Sequence, residues 1–158
     1  KNPPHTGRIR MLLEMYPDAK FIYLVRNPYA VFESTRSFFR NTLAPIRLQT
    51  ISDEELEREI LLNYRALYEH YEADKHLIPE GHLAEVRFEE FEAHPLETAE
   101  ALYRKLSLGD FGRVRPAMER YLEGQRGFRK KDYCFDLQTR LTVERYWGEA
   151  LRQWDYRP

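Results

Sequence analysis

The chain has 158 residues, 42% hydrophobic and 14% aromatic, enough for one domain with a real core. Charged residues make up 32%, but 25 Lys and Arg oppose 26 Asp and Glu, so the net charge of −1 gives no general argument for nucleic acid or anionic membrane binding. The single cysteine, Cys134, excludes an intrachain disulfide, and no Cys/His metal spacing or membrane-length apolar run of ~20 residues is present. Any anion site must therefore be built locally.

The first elements lean basic. Lys1-Asn2-Pro3-Pro4-His5 precedes Ile9, Leu12, Leu13 and Tyr16, which predict a short amphipathic helix. Phe21, Ile22, Tyr23, Leu24 and Val25 form a continuous apolar, β-rich run, as in a strand buried on both faces of a parallel sheet. The run ends on Arg26. Asn27 is a good N-cap and Pro28 suits the first helical position, so a helix starts there and carries Ser34 about two turns along. Residues 41–50 read as an irregular connection. Ser52-Asp53-Glu54-Glu55 is a capping box opening a long helix with Leu56, Ile60, Tyr64, Leu67 and Tyr71 in phase, which stops before Pro79-Glu80-Gly81.

Residues 82–88 predict a second strand. Pro95 opens a helix to Leu106, and Asp110 is a cap for another that carries Val114, Met118, Tyr121 and Leu122. Residues 124–136 form a basic, aromatic loop in which Cys134 reads as a small packing side chain. A last helix places Leu141, Trp147, Leu151 and Trp154 on one stripe. Two strands separated by a long helical crossover imply a parallel βαβ unit in a helix-rich α/β fold.

The chemistry concentrates at the Arg26 junction. The carboxyl end of a strand running into a helix is where open α/β sheets bind ligands. Arg26 offers a permanent charge with a fork suited to an anion's oxygens, and Ser34 a neutral hydrogen bond to the same group. A surface Arg and a helical Ser near any such junction would look the same.

The order Lys-x-Pro-x-His, helix, PDAKFI, Arg-Asn-Pro, Ser resembles the sulfotransferase superfamily. Residues 86–91 (VRFEEF), His94-Pro95 and the helix to Leu106 resemble that family's "strand, YED, helix, LG" segment, with Phe88 where many members have Tyr. The resemblance implies a P-loop-NTPase-like parallel sheet flanked by helices, in one domain over residues 1–158. It implies 3′-phosphoadenosine 5′-phosphosulfate (PAPS) as sulfuryl donor, with no metal. Arg26 and Ser34 match the family's Arg and the Ser eight residues later that bind the 3′-phosphate. By the same resemblance His5 is the candidate base and Lys1 the candidate stabiliser of the sulfonate or bridging oxygen. Lys and His here stand two residues further apart than in the tight Lys-Thr-His group of cytosolic members. Arg129 and Lys130 are similar to a basic loop that closes over the 3′-phosphate, though clustered Arg/Lys is also common solvated surface. Arg47, Arg126 and Tyr133 could border the acceptor.

The family's phosphosulfate loop precedes the Lys-x-Pro segment, and the chain opens on Lys1 in mid-pattern, so the expectation is a fragment truncated at the N-terminus and inactive alone. The expected acceptor is a small molecule, carbohydrate, lipid or peptide, the expected location cytoplasmic, and nucleic acid is not expected. Two other readings stand beside this one: a P-loop nucleotide or phosphoryl transferase, and a non-enzymatic helical interaction domain.

Overall fold

The computed structural model of the chain describes residues 2–46, 48–125, 127 and 133–157. They form two compact units: residues up to 9 with 26–75 and 133 onward, and residues 10–25 with 76–132.

The first unit is helical. Its elements are a 3₁₀ turn at Pro3–Gly7, α2 (Pro28–Ser37), α3 (Asp53–Asp74) and α7 (Leu137–Gln153). Asn27 caps α2 as its residue type predicts, its side chain accepting from the backbone N–H of Tyr29 at 3.0 Å and of Ala30 at 3.4 Å. The Ser52 box is present in full: Glu55 N–H donates to Ser52 Oγ at 3.2 Å, and Ser52 N–H to the Glu55 carboxylate at 3.0 Å. Asp136 caps α7 through Thr139 N–H at 2.7 Å. That bond holds the Asp136 carboxyl below its ordinary range.

The core of this unit is aromatic. Trp147 is 2% exposed and donates its indole N–H to the Leu61 carbonyl at 2.9 Å. Tyr64 stacks on it with centroids 3.9 Å apart, and Phe32 meets it edge-on at 5.8 Å. These contacts pack α2 and α3 against α7. The α7 stripe differs from the expected one. Thr139, Val143, Trp147, Ala150 and Leu151 are buried, whereas Leu141 is exposed. Positions 141 and 147 are six residues apart, about 120° out of phase on a helix. Cys134 is exposed, not packed, because it precedes the α7 cap.

The second unit holds the sheet. β1 (Phe21–Val25) and β2 (Leu83–Arg87) pair in parallel, Phe21 opposite Leu83 through Val25 opposite Arg87. α1 (Ile9–Met15) enters it; α4 (Phe88–Ala93), α5 (Pro95–Lys105) and α6 (Arg115–Gly124) follow β2. Lys20 donates its ammonium to the Leu106 carbonyl. Asp110 caps a short 3₁₀ turn at Phe111–Arg113 through Gly112 N–H, and α6 starts later, at Arg115. The second strand stops at Arg87, since Phe88 already begins α4. β1 is not buried on both faces. Ile22 is 49% and Leu24 47% exposed, while their register partners Ala84 and Val86 are buried. Among the described residues β1 has a strand on one side only.

Phe32 is 1% exposed at the centre of the aromatic cluster. Phe32→Ala is expected to lower the free energy of unfolding by about 3–5 kcal/mol, read by urea denaturation. Asn27→Ala is expected to cost about 1 kcal/mol through the lost cap.

Candidate anion site at the start of α2

The local chemistry of Arg26–Tyr29 decides what kind of site this can be. A helix start normally presents free N–H groups that attract anions. Here they are already engaged. Pro28 has no N–H, Tyr29 and Ala30 donate to the Asn27 side chain, and Val31 donates to the Asn27 carbonyl at 3.0 Å. An anion held here must therefore be gripped by side chains. Arg26 is half-buried, directly before the cap. Ser34 is half-buried six residues into α2, about 9 Å along its axis from Pro28. Its hydroxyl has no partner among the described residues.

Tyr29 anchors the base of α2. It is 1% exposed, its hydroxyl donates to the Glu144 carboxylate at 3.1 Å, and its ring lies 5.6 Å from that of Phe135. Burial and the adjoining Glu144 push the Tyr29 phenol up to about 12. Burial does the same to Tyr64. Tyr29 carries no local signal for its role, whereas Tyr64 lies in phase on the apolar stripe of α3. Glu144 is 115 residues away in the chain, so no spacing rule links it to Tyr29.

His5 lies in the Pro3–Gly7 turn, which packs on α3. Gly7 makes that approach possible, since a Cβ there would stand 3.1 Å from Leu67 Cδ2. His5 is half-buried, and its Nδ1 is buried without a hydrogen-bond partner among the described residues. That nitrogen caps no helix. Lys1, Arg129 and Lys130 lie outside the described residues, as do Arg47 and Arg126, while Tyr133 is half-buried. Arg26, Ser34 and His5 thus belong to one unit. Two hollows of that unit are lined by other residues: one of about 410 Å³ between Tyr29, Glu144, Gly148 and Arg152, and one of about 310 Å³ beside Leu48. Among the described residues no group of His, Cys, Asp and Glu could hold a metal ion.

The model of the sulfotransferase family matches residues 1–111, and the chain belongs to that family. Among its relatives are the omega-hydroxy-beta-dihydromenaquinone-9 sulfotransferases Stf3 of Mycobacterium bovis and Mycobacterium tuberculosis. Each is 31% identical over 156 residues, covering 99% of this chain. The chain spans about 40% of the length of these curated relatives. No solved structure matches it.

The Tyr29 and Tyr64 phenols set an alkaline limit. Their pKa values of about 12 exceed the ordinary 10, so the folded state holds these protons more tightly than the unfolded chain. The stability they contribute is complete below pH 10 and is lost as pH rises towards 12. Tyr64→Phe is expected to flatten the fall in stability across that window, measured by denaturant unfolding at stepped pH.

Proposed function

We propose that this chain carries the 3′-phosphate-binding half of a PAPS-dependent sulfotransferase with a P-loop-like sheet. The observation that carries the reading is the saturated α2 start. With the first-turn amides engaged by Asn27, the anion falls to the side chains of Arg26 and Ser34, the pair whose types and spacing match the family. Arg26 holds the 3′-phosphate in a charge-assisted contact, and Ser34 donates its hydroxyl to the same group.

The reaction is an in-line transfer. An acceptor hydroxyl oxygen bonds to the sulfur of PAPS as the bond from sulfur to the bridging phosphate oxygen breaks. The acceptor proton goes to His5, imidazole being the side chain most often used as a general base. Lys1 offsets the charge on the departing phosphate oxygen, and Arg129 and Lys130 close over the donor. The products are a sulfate ester and 3′-phosphoadenosine 5′-phosphate (PAP). No metal is required, since Lys and Arg supply the positive charge. The relatives' acceptor, a hydroxylated menaquinone derivative, supports a lipid-like alcohol as the acceptor class.

Calorimetric titration with PAP tests the reading. Arg26→Ala is expected to weaken binding by about 1.5–3 kcal/mol and Ser34→Ala by about 0.5–1.5 kcal/mol. Unchanged affinity in Arg26→Ala would remove the assignment. In the full-length enzyme, His5→Gln is expected to lower kcat by about 10²–10⁴-fold while leaving PAP affinity intact. Loss of PAP affinity in that variant, with kcat unaffected, would exclude His5 as the base.

A further inference from the structure

Ser34 sits just before a change of helical register. The Phe38 N–H that closes α2 is shared between the carbonyls of Ser34 and Thr35. Beyond it, Leu43 N–H donates to the Phe38 carbonyl at 3.2 Å, the five-residue step of a π-turn over Phe38–Thr42. π-turns are rare and concentrate at functional positions. No Pro or Gly lies between Ser34 and Leu43 to force this one. The segment is instead tied to α3 by an ion network. Glu57 Oε1 accepts from Arg36 Nη1 and from Arg40 Nη2, both at 3.0 Å, and Arg40 Nε donates to Asp53 at 3.0 Å. One carboxylate oxygen therefore grips both sides of the register change, Arg36 in the last turn of α2 and Arg40 in the π-turn. Arg36 is pinned further by Glu33 at 2.5 Å and by the Phe32 ring, whose centroid lies 5.4 Å from its guanidinium carbon.

We propose that Glu57 is a positioning residue for the donor's 3′-phosphate, holding α2 and the π-turn in the register that aims the Ser34 hydroxyl at the anion. Phe32 and Arg36 are four residues apart and share one face of α2, while Ser34 lies midway between them in sequence and on the opposite side. The core fixes that face at Phe32, and Glu57 fixes it one turn later at Arg36. Two anchors on one face set the rotation of a helix, and the rotation decides where a side chain on the other face points. The Ser34 hydroxyl has no partner among the described residues, so its direction comes from the helix that carries it. Glu57 acts through Arg36 and Arg40 and touches no part of the donor. The proposal rests on the function proposed above, in which Ser34 binds that phosphate. Plain electrostatics predicts the opposite effect: removing a carboxylate leaves its surroundings more positive and tightens the hold on an anion. Loss of a positioning contact weakens it.

A double-mutant cycle on PAP affinity, measured by calorimetry on the full-length enzyme, tests the proposal. Ser34→Ala is expected to raise Kd about two- to tenfold, the worth of one neutral hydrogen bond. Glu57→Gln keeps the shape of the side chain and cancels its charge, and it is expected to raise Kd about two- to fivefold, part of the Ser34 contribution. In the Ser34→Ala background the same substitution is expected to leave Kd nearly unchanged, because the hydroxyl it positions is gone. Glu57 is partly exposed, so its variant is expected to fold, and the Ser34→Ala background controls for any general loosening of the protein. An equal loss in both backgrounds makes Glu57 a structural residue and overturns the proposal. A Kd that falls in Glu57→Gln overturns it too, since charge alone then governs. If Ser34→Ala weakens binding and Glu57→Gln does not, the proposal is lost and the Ser34 assignment stands. If Ser34→Ala leaves Kd unchanged, the Ser34 assignment fails and takes the proposal with it.

Discussion

The Trp147 indole is the constraint on which the first unit depends. It is a large apolar surface with one polar atom, and the bond from its N–H to the Leu61 carbonyl removes the desolvation cost of burying that atom. Tyr64 on its face and Phe32 at its edge come from α3 and α2, so one side chain fixes how two helices meet α7. The backbone yields to keep it there: Trp147 has φ −122° and ψ 17°, outside the helical region, and α7 kinks at that point. This constraint reaches the candidate site through helix geometry. Phe32 and Ser34 are two residues apart on α2, about 200° of rotation. Driving Phe32 into the core therefore turns Ser34 towards the opposite side of the helix.

A second, electrostatic constraint runs along the same helix. Arg36 bridges Glu33 at 2.5 Å and Glu57 at 3.0 Å, and Arg40 bridges Glu57 and Asp53 at 3.0 Å each. Partial burial works against the Arg36 charge, but its carboxylate partners outweigh that and raise its pKa. Individual exposed ion pairs contribute little. This network shares its carboxylates between two arginines and joins α2 and the π-turn that follows it at Phe38–Thr42 to α3.

Much of the fold was legible because its signals are local. Asn27-Pro28 and Ser52…Glu55 satisfy backbone donors within three residues, and both caps form as their residue types require. The long α3 and the parallel pairing of 21–25 with 83–87 follow from periodicity and crossover length. What escaped the sequence is non-local or conformational. The short α4 after Phe88 has no cap of its own. The π-turn depends on how α2 is held by its neighbours. The outward side of β1 is apolar without being covered, so hydrophobicity alone overstated its burial. At the candidate site, Arg26 and Ser34 were readable as residue types at a spacing, whereas the engagement of the α2 amides emerges only from the geometry around Asn27.

Cys134 carries a different kind of consequence. It is the chain's single sulfhydryl, and it faces solvent just ahead of the α7 cap. A chain with one accessible thiol can be bridged to one other chain and no further. Oxidative cross-linking in air would thus stop at a covalent pair that reductant splits, and could not grow into a polymer.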